Sequence, residues 1–345
     1  MKSRSSLLRQ LAILLVAVAA TSAASAEELV RIGINGVISD APFFIATEKG
    51  YFAEQGIKAE FIPFDAGPKM IAPLGAGQLD VAGGAASAGL FNAAARGISI
   101  KIVADRGSRV PGYDYMPILN SKQLIDSGKV KSLADLKGMK VAEAGEGGSQ
   151  GSTLNEGLKA AGLAYKDVEH VYMGYPQHVA ALTNGAIAAS VTTEPSVTRA
   201  VQSGAAVRFS PESSYPSQQV AVLLYGGDFI KKRPEVARKF MIAFLKGARV
   251  YNDALKGGHL AGPAASEVID ILVKNTNIND KALYAALVPS GINPDGRPNV
   301  DSLKKDAAFY KEQKYLEAGA DVDSVLDLSF VDKAVHELGP YKPTH

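Results

Sequence analysis

The sequence predicts an α/β protein of two lobes, each a mainly parallel sheet flanked by helices, joined by two crossings. Three observations carry this. Strand-like runs alternate with helical runs from Leu29 to Gly204, the pattern of parallel βα units. The pattern breaks over residues 106–117 and then restarts, so a larger unit occurs twice. The chain has 345 residues and no Cys, so hydrophobic cores must hold it, and its length suits two of them.

The elements follow in order. "LVRIGI" (Leu29–Ile34) alternates as a strand does, and "PFFIATEKGYFAEQG" opens with Pro42, which a first helical turn accepts, and stops at Gly56. "IKAEFIPF" alternates again, "GPKMIAPLGAGQLD" reads as a short helix, and "VAGGAASAGLFNAAARG" as strand, Gly turn and helix. "ISIKIVAD" (Ile98–Asp105) closes the first half. In the second half "MKVAEA", "EHVYM" and "AIAASVTT" are strands, separated by helices over Thr153–Ala161 and "PQHVAALTNG" and followed by "EPSVTRAVQSG". "QQVAVLLYG" has the unbroken apolar character of a strand buried on both faces. Beyond it the chain is helical, with Val236, Phe240, Phe244, Ala248 and Tyr251 forming one apolar stripe.

Lys2, Arg4 and Arg9, the apolar run Leu11–Ala20 and the small residues Ala24-x-Ala26 make a three-part secretory leader, with cleavage expected after Ala26. The apolar run is shorter than the roughly 20 residues a spanning helix needs. Removing the leader leaves 34 basic against 35 acidic residues. Such a near-neutral body argues against nucleic acid and anionic membrane as partners. Without Cys there is no disulfide, thiolate metal site or lipid-modified Cys at the cleavage point. H-E-x-x-H, G-x-S-x-G and the P-loop are absent and the five His are scattered, so neither catalysis nor a cofactor is expected.

In open parallel sheets ligands bind off the C-terminal ends of strands. Those ends here are "NGVISDAP", "FDAGPK", "GGAAS", "DRGS", "GEGGSQGS", "MGYPQH" and "TTEPS". Two lobes with two crossings would set them face to face across a cleft. The loop "EAGEGGSQGS" (143–152) leads from strand to helix, where free N–H groups favour an anion. Two readings stand. Either Thr153 with Glu156 forms a capping box and Gly147–Ser152 is free to reach a ligand, or Ser149 is the cap and the helix points at it.

"APFFIATEKGYFAEQGIKAEF", "LGAGQLDVAGG" and "AAARGISIKIVAD", then "LADLKGMKVA" and "NGAIAASVTTEP", resemble periplasmic substrate-binding proteins of ABC importers. The subfamily is that for nitrate, taurine, aliphatic sulfonates and thiamine-pyrimidine precursors. The likeness covers about Leu29–Phe244. It implies a type II, Venus-flytrap fold, a periplasmic monomer, a small organic solute in the cleft and a permease–ATPase partner. A membrane-receptor sensor is the alternative, and an enzyme on the same fold a weaker one. The expected division is a leader (1–26), the first lobe (27–106), the second lobe (107–221), and a return to the first lobe with C-terminal helices (222–345).

The residues expected at the ligand are Asn35, Asp40, Pro42 and Phe43 in the first loop, Gly67, Gly84, Ala85 and Ser87 in the next two, and Arg106 at the crossing. From the second half they are Gly148, Ser149, Gln150, Gly151, Ser152, Tyr175, Pro176, Thr193 and Glu194. Several have a competing role: Phe43 in the core, Arg106 and Arg109 as solvated hinge charges, Glu194 in packing. His178 reads as a surface residue. Glu146 and Glu194 together lean toward a neutral, zwitterionic or cationic solute, the family toward sulfonates, and the ligand class stays open.

Overall fold

The computed structural model describes residues 27–209 and 215–343. The leader and its cleavage point lie outside them. Two five-stranded sheets form the frame. The first contains β1 (Glu28–Ile34), β2 (Ile57–Pro63), β3 (Val81–Gly84) and β4 (Ile100–Ser108). The second contains β5 (Ile118–Ser121), β6 (Lys140–Glu143), β7 (Glu169–Tyr172), β8 (Ala189–Val191) and β9 (Ala206–Arg208). The chain then returns to the first sheet as β10 (Gln219–Gly226). The orders are β2-β1-β3-β10-β4 and β7-β6-β8-β5-β9.

Each sheet is parallel except for one strand in the same place. β10 runs antiparallel to β3 and β4, and β5 antiparallel to β8 and β9. Each exception is the strand the chain enters directly after crossing from the other sheet. All eight residues of β10 are buried, as its unbroken apolar run requires. The first crossing occupies 109–117, and the return strand starts at Gln219. β5 and β9 fall in stretches the sequence reading left unassigned, being only a few residues long.

The helices of seven residues or more are α1 (Ala41–Glu48), α2 (Ala88–Ala95), α3 (Ser149–Ala160), α4 (Tyr175–Thr183), α5 (Ser196–Gln202), α6 (Pro234–Asp253), α7 (Ala265–Asn275), α8 (Val300–Glu312) and α9 (Ser329–Leu338). α1 is apolar on every side and buries all of Ala41–Ala46, the mark of a helix enclosed by its neighbours. It lies against α6 so closely that a Cβ at Gly247 would collide with the Pro42 carbonyl. Phe43 sits among Phe61, Phe240 and Phe244, with ring centroids 6.4, 6.4 and 5.4 Å away. The competing core role is the one the structure gives it.

Candidate functional site

The loops at the strand ends of the two sheets meet. Backbone bonds cross between them, Ile38 N–H to the Glu194 carbonyl at 3.1 Å and Ala88 N–H to the Gly147 carbonyl at 2.9 Å. Val37 and Ala66 from one side pack on Ala144 and Tyr175 from the other. Between them is a cavity of about 20 Å³, room for about one water. The lobes are therefore closed down on it. A hollow of about 570 Å³ also opens beside the crossings, next to Arg109 and Asn252, but none of its lining residues belongs to the second sheet or its loops. Of these two, the small cavity is the one that joins both sets of strand-end loops.

Of the expected residues, Asn35, Gly67, Gly84, Ala85, Arg106, Ser149, Gln150, Tyr175 and Thr193 line the cavity. Val37, Ser39, Tyr115, Val220 and Ala221 complete the lining and were not anticipated. The last three lie on the crossings or at the start of β10. The signal for them was the two-lobed fold itself, since the crossing segments run under the cleft.

The first loop is built around Asp40. One carboxylate oxygen accepts the backbone N–H groups of Asn35 and Val37, each at 3.1 Å, and the other takes Arg106 Nη1 at 2.5 Å. Burial pushes the Asp40 carboxyl up, against the pull of Arg106 and of these N–H groups. Asp40 thus shapes the loop and orients Arg106 without lining the cavity. The pair is neutral and fully enclosed, and only Arg106 Nε is left over. Arg106 is 3% exposed and Arg109 2%, with Arg109 ion-paired to Asp114 at 2.9 Å. Neither is the solvated hinge charge the sequence suggested. The Asn35 amide donates to the Gly83 carbonyl and accepts from Gly67 N–H, both at 2.7 Å, drawing two strand-end loops together. Gly67 is needed there because a Cβ would lie 3.0 Å from Ala85 N.

In the second half α3 starts at Ser149, with Gly148 as its N-cap. Thr153 is therefore inside the helix and no capping box exists. Its hydroxyl bonds instead to the Ser149 carbonyl at 3.2 Å and to Gln218 Oε1 at 2.6 Å. Gln150 donates its amide to the Tyr175 hydroxyl. Burial raises the Tyr115 and Tyr175 hydroxyls above their ordinary range, so both stay neutral donors.

Six buried polar atoms around the cavity have no partner among the described residues: Ser39 Oγ, Arg106 Nε, Tyr115 Oη, Ser149 Oγ, Gln150 Oε1 and Thr193 Oγ1. Buried polar groups are almost always paired, and leaving one unpaired costs about 1–3 kcal/mol. Their concentration at one point, beside the N-terminus of α3, makes a recognition surface of four hydroxyls, one guanidinium N–H and one amide carbonyl. It suits an oxygen-rich group that accepts hydrogen bonds.

The remaining expected residues point elsewhere. Ser87 caps α2 by accepting Leu90 N–H. Ser152 donates to Asp306 at 2.6 Å. Gly151 faces away, where a Cβ would stand 2.8 Å from Glu143 Oε2 and 2.9 Å from the Tyr165 hydroxyl. Pro176 is exposed in the first turn of α4. Glu194 accepts Thr198 N–H at 2.9 Å, Thr198 Oγ1–H at 3.0 Å and Val288 N–H at 3.3 Å, and pairs with Arg208. Its packing role is the one observed. Glu146 is exposed. Neither carboxylate faces the cavity, which removes the electrostatic reason for disfavouring an anion. His178 is fully buried rather than superficial, accepting from Thr192 Oγ1 at 2.7 Å and donating to the Met173 carbonyl at 3.0 Å. Burial pulls its pKa down to about 4.

The NMT1/THI5-like family model matches residues 38–253. A Bacillus subtilis (strain 168) protein, provisionally named as an aliphatic sulfonates-binding protein, is 27% identical over 320 residues, 89% of this chain and 88% of its own. The alkanesulfonate-binding protein SsuA of Xanthomonas axonopodis pv. citri, solved bound to MOPS, superposes with a TM-score of 0.70 at 18% identity, over 88% of this chain and 99% of that one. The periplasmic nitrate-binding protein NrtA of Synechocystis PCC 6803 gives 0.74 at 16% identity, over 90% and 89%. The fold is that of the two-lobed periplasmic binding proteins.

Proposed function

The chain belongs to the NMT1/THI5-like family, and on that premise we propose that it is the extracytoplasmic solute-binding component of an ABC importer. It acts as a periplasmic monomer, freed of its leader after Ala26, and delivers solute to a permease and its ATPase. The solute is a small organic molecule with an oxyanion head, of the sulfonate class. One observation carries this reading: five unpartnered donors from both lobes and the crossing converge on one cavity. Three sulfonate oxygens would accept from the hydroxyls of Ser39, Tyr115, Ser149 and Thr193 and from Arg106 Nε–H. Hydrogen bonds with one charged partner contribute about 1.5–3 kcal/mol each, and the N-terminus of α3 adds to them.

Because the donors come from both lobes, the solute favours a closed arrangement over the open one, with the lobes standing wider than around the one-water cavity, and that preference is the condition for a ligand to shift the equilibrium. No carboxylate, His or Lys lines the cavity among the described residues, which supports binding without chemistry. The test is calorimetry with ethanesulfonate, taurine, nitrate and a hydroxymethylpyrimidine, followed by mass spectrometry of the recovered solute. Binding of a sulfonate, recovered unchanged, is expected. Binding confined to the pyrimidine would overturn the ligand class, and conversion to a product would overturn the transport role.

A further inference from the structure

α8 is tied to both lobes. Toward the second, Asp306 accepts from Ser152 Oγ at 2.6 Å, Lys305 pairs with Glu156 at 2.6 Å, and the Phe309 ring stands edge-on to Tyr165 at 5.0 Å. Toward the first, the Tyr310 hydroxyl donates to the Ala86 carbonyl at 3.0 Å and its ring lies 6.3 Å from Phe91. Parting of the lobes must break one of these two sets.

The weak point is Asp306. It is fully buried at the junction of three segments. Ser152 reaches it from α3, Tyr215 Oη–H at 2.6 Å and Gln218 Nε2–H at 3.4 Å from the return crossing. Gln218 also donates to the Ser149 carbonyl at 3.0 Å. The residues that seat Asp306 are thus bonded to the helical turn that carries Ser149 and Gln150 into the cavity. We propose that Asp306 is a positioning residue for the solute site, and that its contact with α3 is a C-terminal latch, made when the lobes close and broken when they part. This rests on the two-lobed closure proposed above.

The latch is sensitive to protonation. Burial raises the Asp306 carboxyl to about 7, against the hydrogen bonds from Ser152, Tyr215 and Gln218 and the charge of Lys305. A carboxyl raised in the closed state binds its proton more tightly there than when hydrated at its ordinary 3.8. The proton's contribution to closure is therefore complete below the ordinary 3.8, shrinks as the pH rises, and is lost as the pH passes through about 7. The other titratable groups at the node are Tyr215 and Tyr310, both raised by burial, and the Lys305–Glu156 pair. Across α3, Glu143 pairs with His170 at 2.7 Å. Burial holds the His170 pKa down, but the hydrogen bond and charge of Glu143 outweigh it and leave the pKa raised.

Small-angle scattering and amide exchange at residues 149–153, corrected for intrinsic rates, test this on the solute-free protein at pH 6 and pH 8.5. The wild type should expand and exchange faster at pH 8.5, and Asp306→Asn should stay compact at both. Ser152→Ala removes the latch's own contact with α3, so it should open at lower pH than the wild type; this decides the matter even if the Asn variant does not fold. A wild type indifferent to pH, an unmoved midpoint in Ser152→Ala, or a pH dependence that survives in Asp306→Asn, and so belongs to His170–Glu143, would overturn the latch. With ethanesulfonate, wild-type affinity should fall about fivefold from pH 6 to pH 8.5 and stay flat in Asp306→Asn. Failure to bind ethanesulfonate at either pH, with the expansion intact, would sink the sulfonate reading and leave the latch standing.

Discussion

The first turn of α3 has two faces that the sequence does not distinguish. Ser149 and Gln150 each leave a buried oxygen unpartnered at the cavity. Ser152 and Thr153, one turn on, spend their hydroxyls on Asp306 and Gln218, both at 2.6 Å, and Gly151 between them is packed against Glu143 and Tyr165. The residues are similar in chemistry and burial. What separates recognition from structure is whether the polar atom already has a partner. Substitutions on the two faces should therefore divide, one affecting affinity and the other stability.

The largest effect falls on the residue that belongs to both classes. Arg106→Ala leaves Asp40 as an uncompensated buried charge and should cost about 3–5 kcal/mol in urea unfolding, besides losing the Nε–H donor. A loss below about 1 kcal/mol would mean that the pair is not enclosed. Gly151→Leu comes next. Overpacking against Glu143, Tyr165 and Phe309 should destabilise by about 1–3 kcal/mol, seen as a lower urea midpoint; unchanged stability with weakened binding would reverse the assignment of the two faces.

Ser149→Ala and Thr193→Ala should leave stability within about 0.5 kcal/mol, because the lost hydroxyls had no partner. Each should weaken sulfonate binding roughly tenfold, the equivalent of about 1.4 kcal/mol. Calorimetry beside unfolding curves separates the two quantities, and a stability loss without an affinity loss would return both residues to the packed class.

The smallest effect is a titration. His178 is a fully partnered side chain behind Thr192, and its ring should stay neutral by NMR until about pH 4. Its folded pKa lies below the ordinary 6.5, so its contribution to stability is complete above pH 6.5 and lost as the pH falls through about 4. An ordinary titration near 6.5 would mean that the side chain is hydrated.

Much of the frame was legible. β1, β2, β6 and β7 appear within a residue or two of their sequence bounds, because alternation of apolar side chains is a local signal. The short β5 and β9 carry too few residues for one. The candidate loops were also legible, since strand ends and Gly clusters mark them. Within those loops the sequence could not separate Ser87, which caps a helix, from Ser149, or Glu194, which serves Thr198 and Arg208, from Thr193 beside it.

The alternating elements, the two halves, the strand-end loops and the Gly-rich turn ahead of α3 are all local patterns, readable along the chain. Which strand of each sheet runs backward, which polar atoms stay unpartnered, and that Asp306 of the C-terminal α8 bonds to Ser152 of α3 emerge from packing between distant segments. The reason is geometric. Periodicity along the chain records which side chains are apolar, but a helix turns about 100° per residue, so neighbours such as Gln150 and Gly151 face different surroundings. Which face meets the cavity depends on Gln218, Asp306 and Tyr175, residues distant in sequence that only folding brings together.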